Sequence, residues 1–299
     1  GLRPITKLVF ASFVFTFCAG VSIGAHAVLV SAVLPTSRSA EVNRPVTVFA
    51  TLLNAGADAV TNCRPVLNAV PEVSLGYQTT DPATNSPTGS PNTPATIAAG
   101  AGQSWLLTLT ATSAFAPTEL AIDFACDGSD APQSISGINT LLLSGSETPT
   151  ADVIALSATV GANGIVETTV DQPAAFSVAT VNVGASASVD VSPQVSGAEL
   201  TSLSICQTNS QTAECLSAPS ATVTAQIDAG ETPTFSVFLQ SSVEVPFSPA
   251  ISRIAVDFTE SGVRRGSTSV ALQVVPAVIT QTNPNVLLII TDDQGLDAS

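Results

Sequence analysis

Between Val28 and about residue 272 apolar residues recur at alternate positions, and no window of helix length sustains a 3.6-residue period. Val46, Val48, Ala50 and Leu52 keep one side of such a run, and Trp105, Leu107 and Leu109 keep one side of another. Leu120, Ile122, Phe124 and Cys126 alternate with Ala121, Asp123 and Ala125. Successive side chains of a strand point to opposite faces, so this pattern describes strands with one face buried. Gly, Pro and Asn break the runs at short intervals, which predicts many short strands joined by turns in an antiparallel sandwich.

The same region repeats itself. Ile97-Ala98-Ala99-Gly100, a strand, Phe115-Ala116-Pro117 and Ala121-Ile122-Asp123-Phe124 form one copy. Ile227-Asp228-Ala229-Gly230, a strand, Phe247-Ser248-Pro249 and Ala255-Val256-Asp257-Phe258 form the other. The offset is 227 − 97 = 130 at the first match and 255 − 121 = 134 at the last, so one loop is four residues longer. Two immunoglobulin-like sandwiches, 28–147 and 148–273, are expected, each near the ~100 residues usual for that fold. Asn54-Ala55-Gly56 and Asn182-Val183-Gly184 supply turn glycines at matching places. The Thr/Pro/Asn/Ser-rich stretch Gln78 to Pro94 reads as a long solvated connector, with a binding loop as the sharper alternative. Trp105 and Tyr77, alone of their types, could form a sugar-binding platform, but the alternation around Trp105 assigns it to the core.

Residues 1–27 read as a signal peptide. Arg3 and Lys7 precede an uncharged, mostly apolar stretch from Leu8 to Ile23, and Ala25-His26-Ala27 offers a small-x-small cleavage site. A secreted or periplasmic chain with no stable membrane span is the expectation. Cleavage after Ala27 removes the only lysine and the only histidine, leaving six arginines against 23 acidic residues, 6 − 23 = −17. Nucleic acid is therefore no partner, because phosphate binding needs clustered Lys and Arg. Without histidine this stretch can build neither a Ser-His-Asp triad nor a His-ligated zinc. The carboxylates are dispersed, which suits solubility better than an acidic site.

Cys18 falls in the apolar leader and has no assigned role; four cysteines follow it and allow three pairings. Division into two domains favours Cys63–Cys126 and Cys206–Cys215. Cys126 shares the apolar face of Ile122 and Phe124, and the second bridge would staple the polar segment Gln207 to Glu214. A cysteine metal site is disfavoured, since no C-x-x-C occurs and an exported chain meets oxidising conditions.

The last residues change character. After a linker at 274–283 containing Pro276 comes Pro284-Asn285-Val286-Leu287-Leu288-Ile289-Ile290-Thr291-Asp292-Asp293-Gln294-Gly295. A run of five branched apolar residues suits a strand buried on both faces of a parallel sheet, and ligands gather at the carboxyl ends of such strands. This stretch resembles the opening motif of the sulfatase family, within the alkaline-phosphatase-like superfamily. The resemblance implies that 284–299 begins an α/β domain, mainly missing here, in which Asp292 and Asp293 ligate a divalent metal, usually calcium. Paired hard carboxylates suit a hard cation that would neutralise a sulfate ester. The family's nucleophile, a Cys or Ser in C/S-x-P-x-R converted to formylglycine, occurs nowhere in the chain, so it is expected downstream. No methionine and an ending within the motif suggest a gene fragment, inactive by itself.

The expectation is thus a mainly β chain: a signal peptide, two sandwiches, then the first strand of a sulfatase-like hydrolase acting on a sulfated small molecule or polysaccharide. Two alternatives stand beside it. One is a phosphodiesterase or phosphonate hydrolase of the same superfamily with manganese or zinc. The other is a non-enzymatic secreted Ig-like surface or adhesion protein.

Overall fold

The computed structural model describes residues 28–67 and 70–277, and every regular element among them is a β-strand. The leader at 1–27, the strand at 286–290 and the proposed ligands Asp292 and Asp293 lie outside the described residues.

The first nine strands are β1 (Leu29–Leu34), β2 (Ser37–Glu41), β3 (Pro45–Asn54), β4 (Val60–Leu67), β5 (Val73–Thr80), β6 (Ala95–Ile97), β7 (Gly102–Ala111), β8 (Phe115–Asp127) and β9 (Thr140–Ser146). They form a four-stranded sheet, β1-β3-β7-β5, facing a five-stranded one, β2-β9-β8-β4-β6. The next nine are β10 (Val153–Ala158), β11 (Ile165–Thr169), β12 (Ala174–Asn182), β13 (Ala187–Ser196), β14 (Ser202–Thr208), β15 (Val223–Ile227), β16 (Thr234–Gln240), β17 (Arg253–Glu260) and β18 (Val263–Val275). Their orders are β10-β12-β16-β14 and β11-β18-β17-β13-β15. Adding nine to each strand of the first sandwich reproduces the second, so the sequence repeat is a repeat of topology. These are immunoglobulin-like β-sandwiches.

Alternation builds each core. In β3, Val46, Val48, Ala50, Leu52 and Asn54 are buried while the residues between them face out. Trp105 on β7 meets Phe124 on β8, ring centroids 5.1 Å apart. Phe235 on β16 meets Phe258 on β17 at 5.6 Å. The residue numbers differ by 235 − 105 = 130 and 258 − 124 = 134, the two offsets of the repeat, so the aromatic pair recurs at the centre of each unit.

Three expectations need correcting. The sandwiches are not wholly antiparallel: β2 runs parallel to β9, and β11 parallel to β18. After β1 and β10 pair in one sheet, the chain crosses to the other sheet's edge and runs alongside its last strand. The stretch from Gln78 is not all loop, because Gln78, Thr79 and Thr80 complete β5 against β7. Val274 is not linker: it is buried near the end of β18, bonded to Val245 and opposite Thr168.

Candidate functional site

Disulfides join Cys63 to Cys126 and Cys206 to Cys215. Cys63 on β4 and Cys126 on β8 sit on adjacent strands of one sheet, with Cys63 fully buried. Cys206, also buried, ends against the loop that follows β14, where Thr208 bridges Cys215. These are structural cross-links with no reactive thiol. Trp105 is no sugar platform: it is fully buried, and its indole Nε1 has no hydrogen-bond partner among the described residues. Tyr77 gives its hydroxyl to the Asn92 carbonyl at 3.1 Å.

The chemistry collects where the two sandwiches meet. β2 is an edge strand, yet Ser37, Arg38, Ser39 and Ala40 are all buried, because β10 and β18 of the second unit cover its free side. Arg38 donates from Nε and Nη2 to Asp152 Oδ2 at 3.0 and 2.8 Å, and from Nη1 to the Thr47 carbonyl. Asp152 Oδ1 also accepts from the Ser39 backbone N–H at 2.8 Å. Both side chains are less than a tenth exposed. A buried pair of this kind adds little net stability, but breaking it strands a charge at about 3–5 kcal/mol. It joins β2 of the first unit to the start of the second. Next to it, Ser37 Oγ accepts from Ser267 N–H at 2.6 Å, and Thr36 Oγ1 donates to the Ser267 carbonyl at 3.1 Å.

A cleft of about 290 Å³ opens beside these contacts. One wall is the outer face of the second unit's five-stranded sheet: Arg253, Ala255 and Asp257 on β17, Ser267 and Ser269 on β18, Gln194 and Ser196 on β13. The other wall is Thr36, Glu119, Ser136, Gly137, Thr140 and Leu142 of the first unit. Small residues on the sheet allow close approach; a Cβ added at Gly137 would lie 2.8 Å from Ser269 Oγ.

Charge in the cleft is arranged unevenly. Asp257 is buried, accepts from Ser267 Oγ at 2.7 Å and pairs with Arg264 at 3.0 Å. Glu119 accepts from Thr140 Oγ1 at 2.6 Å. Arg253, at the position Glu119 occupies in the first copy (253 − 119 = 134), pairs with no carboxylate among the described residues. It donates from Nε and Nη2 to Ser269 Oγ at 3.2 and 2.7 Å, and from Nη1 to the Pro249 carbonyl at 2.8 Å. Burial pulls its pKa below the usual arginine value. Sequence reading passed over Arg253, because an isolated arginine at the start of a strand carries no motif.

Among the described residues no group of three or more His, Cys, Asp or Glu side chains is placed to hold a metal. No helix among them is long and apolar enough to cross a membrane.

No family model and no curated protein matches the chain. Among solved structures it is similar to a CARDB domain from Pyrococcus furiosus in complex with di-metal ions, at 14% identity and TM-score 0.27, covering 44% of this chain and 98% of that one. It is similar to a protein of unknown function from Porphyromonas gingivalis W83 at 9% identity and TM-score 0.26, covering 82% and 99%. A secreted serine protease from Vibrio cholerae matches at 8% identity and TM-score 0.23, covering 76% of this chain and 49% of that one.

Proposed function

We propose that the tandem sandwiches are a non-enzymatic exported scaffold, a surface-protein module that holds its neighbours in a fixed orientation. The observation that supports this is the burial of β2 between the units, with Arg38 and Asp152 paired out of water. Polar contacts between domains ordinarily leave them free to move, and these contacts are polar, so the burial of the ion pair is what favours one geometry here. The two disulfides suit an extracellular milieu, where thiols stay oxidised. Small-angle scattering from the full chain tests the proposal. The expected profile over 28–277 fits one arrangement of the two sandwiches; a profile that requires a spread of inter-unit angles overturns it.

A second reading keeps this scaffold and places it ahead of a sulfatase-like hydrolase. It is favoured by the order of parts in Pro284 to Gly295: an apolar run, then paired carboxylates, then glycine. Asp292 and Asp293 would hold calcium, and formylglycine would come from a residue beyond Ser299. A sulfated small molecule or polysaccharide would be the substrate. The coding sequence after Ser299 decides it. A C/S-x-P-x-R motif supports the enzyme, and a stop codon or further alternating strands overturns it.

A further inference from the structure

We propose that the cleft between the sandwiches is a binding site for a sugar bearing one oxyanion, a sugar acid or a sugar sulfate, with the oxyanion on Arg253. The first observation is an imbalance. The chain has 23 acidic residues against eight basic ones, and Arg38, Arg44, Arg264 and Arg265 each hold a carboxylate. Arg253 is half-buried and pairs with none among the described residues. Three of its five N–H donors are used, on Ser269 and Pro249, which leaves 5 − 3 = 2 for a ligand. A guanidinium with two free donors in a partly desolvated setting is suited to a planar carboxylate or a sulfate edge.

The second observation is what surrounds it. Arg253 and Arg264 balance Glu119 and Asp257, 2 − 2 = 0, so the cleft is neutral in a chain of net charge −15. Glu119 and Asp257 carry acceptor oxygens, and Ser136, Ser196 and Gln194 carry both donors and acceptors. Hydroxyl groups on a ring find partners of both kinds there while the oxyanion takes the arginine. At about 290 Å³ the space is near the lower end of small-molecule sites, which fits a single sugar unit. Because both units supply walls, the site rests on the fixed orientation proposed above.

Titration calorimetry on the full chain, with glucuronate, glucose 6-sulfate and neutral glucose as probes, tests the assignment. Saturable binding of either anion, about ten-fold or more tighter than glucose, is expected, and the stronger of the two identifies the oxyanion. Arg253→Gln should weaken that binding about ten-fold or more, with Arg253→Lys intermediate because it keeps charge and loses the fork. Gln194→Trp, at an exposed cleft-lining position, should block binding with Arg253 intact. The proposal is overturned if neither anion binds better than glucose, or if a folded Arg253→Gln protein binds as the parent does. Scattering on the same samples separates the failures: no binding from a chain held in one arrangement counts against the site alone.

Discussion

Asn182 donates from Nδ2 to the Ala185 and Ile227 carbonyls at 2.7 and 3.0 Å, and its Oδ1 accepts from the Gly184 and Asp152 N–H groups, each at 3.1 Å. Asn54 repeats the pattern in the first unit, donating to the carbonyls of Asp58, Ile97 and Ala98 and accepting from Gly56 N–H at 3.0 Å. Both are fully buried. Each ties its N-x-G turn to the matching Ile-x-Ala-Gly turn across the sandwich, so two motifs that recur together in the sequence are one structural device. Asn182→Ala would remove the amide's buried bonds to the Ile227 carbonyl and the Asp152 N–H, and about 2 kcal/mol or more of stability should be lost. Asn182→Asp should lose at least as much at pH 7, since a carboxylate oxygen would then face both carbonyls. Urea denaturation checks this, and an Asn182→Asp protein with the parent's midpoint would sink it.

At the scale of elements, what the sequence made legible was whatever follows from one buried face. The alternation in β3, β7 and β8 locates their cores, and Cys126 was readable as inward because it shares a face with Phe124. Strands under other constraints stay hidden. Ser37-Arg38-Ser39-Ala40 has no apolar face, because one side meets its own sandwich and the other meets a second unit through polar groups. No period in one strand announces a partner 114 residues away. The segment after β5 is hidden for a related reason. Residues 81–94 do not trail into solvent; they fold back along the open edge of β5. Thr88 and Asn92 give their N–H groups to the Thr79 and Tyr77 carbonyls, each at 2.7 Å. That protects an edge which would otherwise pair with another chain. Asp81 sets the turn, accepting from the Thr84 and Ala83 N–H groups, which hold its carboxyl below the usual aspartate value. Thr, Asn and Pro supply such turns without hydrophobic periodicity, so composition alone describes them as a connector. The proposed ligands Asp292 and Asp293 rest on sequence alone.

At the scale of the whole molecule, the joint between the units depends on Gly184. The sequence presents it as a turn glycine like Gly56, but its φ is not in the left-handed region. The reason for glycine is proximity: a Cβ there would lie 2.3 Å from the Thr150 carbonyl oxygen and 2.5 Å from the Asp152 nitrogen. Those are backbone atoms of the inter-unit connection, so they cannot rotate aside, and moving them displaces the Asp152 carboxylate from Arg38. Gly184→Ala should therefore lower stability by about 1–3 kcal/mol, as overpacking does, and should also loosen the joint. Gly164→Ala is the control. Gly164 has a φ of +72° but nothing within 4 Å of an added Cβ, so its replacement strains one turn and leaves the joint alone. Scattering and thermal unfolding distinguish them. Gly184→Ala is expected to need a spread of inter-unit angles and to separate the melting of the two sandwiches, while Gly164→Ala keeps the parent profile at a lower midpoint. If Gly184→Ala keeps both the parent profile and a single transition, the joint is not held through Thr150–Asp152.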